Sequence, residues 1–454
     1  MGGNGIVVFN LLVMALLGGL RASGETPITG AEISAGAAAR IEKYRKGDAT
    51  VLVVDAAGKP VAGAELTIEQ TTHAFLFGCN IFNWAEDDKN LWYKKPLSDE
   101  VQTSYRAHFA DLFNYATLPF YWHFYAPAQD QTRQTYLESV AKWCREKGIA
   151  TKGHPLMWNY VDPTWLPNDK AAIGKLQVER VKDIVPRFKG LIDKWDVANE
   201  LADFSSGGKG DKAPKITAMW AKDRMPVARD CFLAAREANP GALLLINDFK
   251  TDESYEKVLL GLADDHGKPL YDVIGLQSHQ HSGVWSDQKL WDTCERFAKF
   301  GVPLHFTEMT ILSGRRMPGA AKNAEGEETW VSAPHDEETQ AKDVVREYTL
   351  LFSHPSVEAI TWWNLIDGFA WMGAPAGLLR KDGTPKPAYT SLQKLIHETW
   401  CTRTSANSDA QGQVHVRGFY GNYHVTVRLS GKAAGEGTFV LSKSAGNEWK
   451  IVTR

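Results

Sequence analysis

Lys194-Trp-Asp-Val-Ala-Asn-Glu200 is a short apolar run that ends on a polar pair. Such a run predicts a buried parallel strand that empties into a site at its C-terminal end. A second run, Val302-Pro-Leu-His-Phe-Thr-Glu308, also finishes on a glutamate. The two acids are far apart in sequence, so only a closed fold brings them together. The plainer alternative makes each glutamate a first-turn acid of a following helix, where the helix dipole favours it. The rest of the chain decides between the two.

From Phe75 onward, short strand-like runs alternate with helix-length segments. The expected strands are Phe75–Cys79, Asn114–Leu118, Ala150–Leu156, Lys194–Ala198, Leu243–Asn247, Val273–Gln277, Leu304–Thr307 and Ala359–Trp363. Apolar residues recur at helical spacing between them, as in Tyr136–Cys144 and in Asp287–Phe297, the latter with Ser286 as N-cap. Eight strands with helices between them predict an α/β fold, a (β/α)8 TIM barrel over residues 75–400. The Ser205–Gly210 and Arg315–Pro334 stretches read as loop insertions after the two glutamate-bearing strands.

The flanks have a different rhythm. Val51–Asp55 and Ala64–Glu69 read as two strands around a turn at Ala57-Gly-Lys-Pro60. Val414–Arg417, Tyr423–Leu429, Thr438–Leu441 and Trp449–Val452 read as short strands between Gly- and Ser-rich turns. Neither flank buries enough apolar area alone. Residues 40–70 and 410–454 are therefore expected to meet in one small β-sandwich. Thr26–Ala39 reads as a loose linker. Residues 1–24, with an apolar run from Ile6 to Leu20 and small residues at Ala22 and Gly24, read as a signal peptide that directs the chain to a secreted or periplasmic location. No other stretch is long and apolar enough to span a bilayer.

A net charge of −3 gives no electrostatic reason for a nucleic-acid or anionic-membrane partner. The five cysteines show no CxxC and no metal-ligand spacing, so no disulfide is assigned and no cofactor or metal is expected. Sixteen tryptophans favour a ligand with flat apolar faces, such as a sugar ring. Oligomeric state is left open.

Six segments, in order and each at an expected strand end, resemble glycoside hydrolase family 10, the retaining endo-β-1,4-xylanase family. They are Lys152-Gly-His-Pro-Leu-Met-Trp158, Trp195-Asp-Val-Ala-Asn-Glu200, Ile246-Asn-Asp-Phe249, Ile274-Gly-Leu-Gln-Ser-His279, Phe306-Thr-Glu-Met309, and Thr361-Trp-Trp363 through Trp371 to Lys386-Pro-Ala-Tyr389. The resemblance implies hydrolysis of a β-linked polysaccharide or oligosaccharide, most directly internal cleavage of xylan. It implies Glu308 as nucleophile and Glu200 as acid/base, with two carboxyl groups ~5–5.5 Å apart as retention requires. It further implies that Asn199 binds the 2-hydroxyl of the attacked sugar. His154 and Trp158 would line that subsite, Gln277 and His279 would orient Glu308, and Trp363 and Trp371 would form stacking walls. Asp196 is expected to point away from Glu200 by strand alternation and to be structural.

Two departures stand out. Where family members carry polar Glu, Asn and Lys after the second strand, this chain has Pro119, Phe120 and His123. Hydrogen-bond readout is the steep part of specificity, so a retaining β-glycosidase acting on another β-glycan or an aryl glycoside is the runner-up. Phe120, Tyr121 and Trp122 would then favour a flatter, more apolar partner. The second departure is Thr310, where the family has an Asp that fixes the His corresponding to His279. Two readings belong to other classes. A metal-dependent barrel hydrolase would use His279-x-His281 with His123 and His154, but that His pair follows the sixth strand instead of the first. A non-catalytic sugar-binding barrel has no need for two opposed acids.

Overall fold

The computed structural model describes residues 28–85, 96–203, 209–316, 330–444 and 446–454. The expected signal peptide and most of the two insertions lie outside the described residues. Two strands belong to the flank, β1 (Lys46–Val54) and β2 (Glu65–His73). The central run follows as β3 (Leu76–Asn80), β4 (Tyr115–Pro119), β5 (Ala150–His154), β6 (Lys194–Asn199), β7 (Leu243–Asp248), β8 (Val273–Leu276) and β9 (Leu304–Met309). A two-residue pair, β10 (Arg315–Arg316) and β11 (Trp330–Val331), precedes β12 (Val357–Trp362).

The eight strands β3 to β9 and β12 are buried on almost every position, because one face lines the barrel interior and the other meets a helix. They pair in parallel and close in the order β12-β3-β4-β5-β6-β7-β8-β9. The (β/α)8 barrel expected from sequence is present, and each expected strand coincides with an observed one to within two residues. Between the strands the helices turn an apolar stripe inward. Gln134–Glu146 buries Leu137, Val140, Ala141 and Cys144 against β4 and β5. One backbone position is set by packing: at Gly153 any side chain would enter the Trp195 indole, so β5 and β6 approach each other only because 153 is glycine.

The tail supplies β13 (Arg403–Asn407), β14 (Gln413–Phe419), β15 (Gly421–Leu429), β16 (Lys432–Leu441) and β17 (Glu448–Val452). They join the N-terminal strands in two sheets, β14-β1-β17 and β13-β2-β15-β16. The N-terminal pair contributes Val51, Val53, Leu66 and Ile68 to the core between the sheets, and the tail contributes Val414, Tyr423, Val425, Phe439 and Ile451. Each such aliphatic side chain adds about 1.5–3 kcal/mol on leaving water, and neither end holds enough of them alone. The sandwich begins earlier than expected, since β13 pairs with β2 ahead of residue 410.

One expectation is corrected. Thr26–Ala39 is not a loose linker where described: Gly30–Ala35 and Ala37–Arg45 are helices. Thr29 caps the first and Glu32 reaches back to the cap, a reciprocal capping box. Ile33, Ala37 and Ile41 are buried in the barrel's core. Arg45 follows them inward and donates to the carbonyls of Phe352, His354 and Val357, which compensates the burial of its charge.

Candidate active site

The mouth of the barrel is built at the C-terminal ends of β5 to β9 and β12. Asn199 is the last residue of β6 and Glu200 the next. Glu200 has φ +59, a left-handed conformation that a side-chain-bearing residue rarely adopts. The turn is held by the Glu200 amide donating to the Asn247 carbonyl, 2.8 Å. Ser278, between Gln277 and His279, has φ +57. Backbone strain of this kind concentrates where a fold must aim particular side chains. Here it occurs at two of the strand ends that carry the site.

Glu200 and Glu308 are both buried, 7% and 4% exposed, and a chain of side-chain amides spans the space between them. The Gln277 amide donates to Glu200 Oε1 at 3.0 Å and to Asn199 Oδ1 at 3.3 Å. The Asn247 amide donates to Asn199 Oδ1 at 2.8 Å and to Glu308 Oε1 at 2.7 Å. Thr307 fixes the Asn247 amide by donating to its Oδ1, 2.6 Å. Asn199 therefore spends its oxygen on two neighbours and keeps its Nδ2, which has no hydrogen-bond partner among the described residues, for something else.

The two carboxyl groups sit in different surroundings. Glu200 Oε2 accepts from the Trp158 indole at 3.2 Å. Glu308 Oε2 lies 3.1 Å from His279 Nε2, and its Oε1 is 3.8 Å from His154 Nε2. Burial pushes the Glu308 carboxyl up, but the His279 hydrogen bond, with His154 and Lys152 nearby, outweighs it and holds it below the ordinary carboxylate value. Behind His154, Asp196 accepts from His154 Nδ1 and pairs with Lys152 Nζ, both at 2.7 Å. Burial raises the Asp196 carboxyl, yet Lys152 and His154 bring it below its usual value. Asp196 is thus internal and spends its Oδ2 on His154 and Lys152.

The sequence-derived residues converge with two corrections. Gln277 was expected to orient Glu308; its carbonyl accepts from the Glu308 amide at 3.1 Å, but its side chain reaches Glu200 and Asn199, and the side-chain amide at the Glu308 carboxyl is that of Asn247. The aromatic trio splits where β4 gives way to the short helix Trp122–Tyr125. Phe120 is fully buried outside the barrel, against Phe188 at 5.0 Å and Trp195 at 4.9 Å. Trp122 packs edge-on against Trp165. Only Tyr121 faces the mouth, 5.5 Å from the rings of both His154 and Trp158 and 5.3 Å from Tyr160. Trp363 stands edge-on to His154 and His279, 5.4 and 6.0 Å away. Trp371 is 67% exposed and meets His281 at 5.1 Å. His279 and His281 do not converge on a common point: the first serves Glu308 and Thr310, the second Trp371. Among the described residues no group of His, Cys, Asp and Glu is arranged to hold a metal ion.

The loop after β8 is anchored from outside. Gln280 donates to Glu347 Oε2 at 2.6 Å, and Arg346 approaches Glu347 Oε1 at 3.1 Å. Glu347 is fully buried, and that burial pushes its carboxyl up to about 7 despite the Gln280 and Arg346 contacts.

The family model described as "Glycosyl hydrolase family 10" matches residues 80–395. The chain belongs to glycosyl hydrolase family 10. The match takes in all eight barrel strands except the first four residues of β3, together with every site residue named above. Among curated relatives, this family-10 chain is 26% identical over 426 residues to an anti-sigma-I factor, RsgI6, of Acetivibrio thermocellus, covering 92% of the chain and 50% of that protein. It is 28% identical over 260 residues to an endo-1,4-beta-xylanase/feruloyl esterase of Xylanibacter ruminicola, covering 52% of the chain and 35% of that protein. The chain spans half or less of the length of these two relatives. Among solved structures, xylanase 10B of Thermotoga petrophila RKU-1 in complex with xylobiose superposes with a TM-score of 0.55 at 22% identity, covering 72% of this chain and 95% of that one. That likeness carries the barrel fold.

Proposed function

We propose that the family-10 chain hydrolyses β-1,4-xylosidic linkages with retention of configuration. Glu308 is the nucleophile and Glu200 the acid/base. The observation that supports this most is the unequal setting of the two buried acids at either end of the Gln277–Asn199–Asn247 amide chain. Glu308 is held toward its charged form, as a nucleophile must be. It attacks the anomeric carbon, while Glu200 gives its proton to the leaving oxygen. Glu200 then takes a proton from water, which breaks the sugar–Glu308 ester. The free Nδ2 of Asn199 is a donor for the 2-hydroxyl of the attacked sugar, and Trp363 and Trp371 flank the ring. The apolar run at Ile6–Leu20 supports export of the chain toward an extracytoplasmic polysaccharide.

The test is turnover of xylo-, gluco- and manno-oligosaccharides and of aryl β-xyloside and β-glucoside by wild type and Glu308→Ala. The expected result is β-configured xylose or xylo-oligosaccharide as first product from wild type and loss of turnover in the variant. An α-configured first product, or full activity in Glu308→Ala, would overturn the mechanism. A second reading, a barrel that holds β-glycan without cleaving it, draws on the likeness to a protein named as an anti-sigma factor over 92% of this chain. Xylan binding with no turnover of any glycoside would select it.

A further inference from the structure

The residue two places after Glu308 is Thr310, buried at the end of the β9 run and bridged in parallel to His279. Its Oγ1 lies 3.0 Å from His279 Nδ1 and 3.3 Å from the Glu308 carbonyl oxygen. Its own carbonyl accepts from the Gln280 amide at 3.0 Å, which fixes the hydroxyl and the imidazole relative to each other. The other ring nitrogen of His279, Nε2, is 3.1 Å from Glu308 Oε2.

We propose that Thr310 is a positioning residue that sets the tautomer of His279, donating a hydrogen bond to Nδ1 so that Nε2 carries the single ring proton and donates a hydrogen bond to Glu308. The inference rests on the reading of Glu308 as nucleophile. An ionised carboxylate only accepts, so the 3.1 Å contact requires a proton on Nε2. What sits on Nδ1 is then decided by its partner. A carboxylate at 310 would demand a second ring proton. A hydroxyl can donate, and Nδ1 is the nearer of its two acceptors. The other neighbours of the ring, His281 at 5.6 Å and Trp363 at 6.0 Å, are ring contacts and do not compete for Nδ1.

The arrangement matters when the ester forms. Bonding Glu308 to the anomeric carbon removes its negative charge, while the Glu200 proton leaves with the departing oxygen. A doubly protonated imidazole would then be left beside a neutral ester. A singly protonated one keeps its hydrogen bond and strands no charge. Both oxygens of Glu308 thus face uncharged donors, the Asn247 amide at Oε1 and the His279 N–H at Oε2.

The experiment is nitrogen-15 NMR of the full chain labelled in histidine, with His279 assigned by a His279→Asn spectrum, alongside kinetics of position-310 variants. Wild type and Thr310→Ser are expected to show Nδ1 bare and Nε2 protonated at the pH of maximum activity. Thr310→Asp is expected to show both nitrogens protonated. Thr310→Val, which offers Nδ1 no donor, is expected to shift the bare-Nδ1 resonance to that of a nitrogen without a hydrogen bond and to lower kcat about tenfold with KM little changed, serine restoring both. A doubly protonated His279 in wild type, or an unchanged spectrum and kcat in Thr310→Val, would overturn the proposal. Should Thr310→Val not fold, the wild-type, serine and aspartate spectra decide it. Full turnover in Glu308→Ala would instead overturn the nucleophile reading, leaving the spectra to report on Thr310 independently.

Discussion

Asn247 carries no charge and titrates nowhere, yet it touches both Asn199 and Glu308. Asn247→Ala is expected to lower kcat by roughly ten- to a hundredfold while leaving the melting temperature within a few degrees, because it removes a buried donor from the reacting carboxylate. Steady-state kinetics and a thermal melt check both halves. Its role was hard to read from sequence even though Ile246-Asn-Asp-Phe249 was visible as a segment, since an amide at a strand end gives no chemical signature of its own. Glu200, Glu308, Asn199 and His279 were legible because each stands at a fixed place in a strand-end segment. Gln277 meets Glu308 only through its backbone, while its side chain goes to the other acid. Strands related by the barrel's curvature decide which neighbour a long side chain meets, and spacing along the chain does not encode that. Tyr121 could have been separated from Phe120 by alternation alone. Phe120 prolongs the β4–β5 ladder by donating to the His154 carbonyl at 2.6 Å, and in extended backbone neighbouring side chains point to opposite sides.

At the level of elements, the helix Pro334–Ser353 and the loop after β8 share one buried acid. Burial raises the Glu347 carboxyl from its ordinary value to about 7, with Gln280 and Arg346 opposing the shift and Asp343 and Asp287 adding to it. A carboxyl raised on folding contributes fully below its unfolded pKa, about 4.5, and that contribution is lost as pH rises through about 7. Wild type is therefore expected to lose melting temperature between pH 5 and pH 8, and Glu347→Gln to lose less. Calorimetric scans at the two pH values read the difference, and parallel slopes in the two proteins would refute it. The strands of the barrel were plain in the sequence because burial on both faces writes them as apolar runs. Two elements were not. The helices at Gly30–Ala35 and Ala37–Arg45 hid behind small residues, although the Thr29–Glu32 box and the good helix propensity of alanine were readable signals. The edge strand β13, Arg-Thr-Ser-Ala-Asn, exposes alternate residues and has almost no apolar content to betray it.

For the molecule as a whole, the sandwich is held by strands from both ends of the chain. β1 lies between β14 and β17, and β2 between β13 and β15. Ending the chain after Trp400 removes every partner of β1 and β2. The shortened protein is expected to melt at a markedly lower temperature and to be cut by protease within residues 46–73, whereas the full chain is not. An unchanged melt and digestion pattern would show the barrel to be indifferent to its flank. That the two ends would meet was legible from the deficit of apolar area in each. Their pairing order was not, because β-strands of similar pattern are interchangeable on paper and only register and packing distinguish them.

The same clasp has a temporal side. Thr453 hydrogen-bonds to Val54 across 399 residues of chain. A ribosome adds roughly 5–20 residues each second, so β1 emerges tens of seconds before β17 exists. The eight-stranded barrel has all its strands by residue 362, well ahead of that moment. Synthesis therefore delivers a closable barrel first and leaves the leading strands as unmatched edges until the tail arrives. Through that interval, β1 and β2 are the part of the nascent chain most exposed to pairing with a stranger.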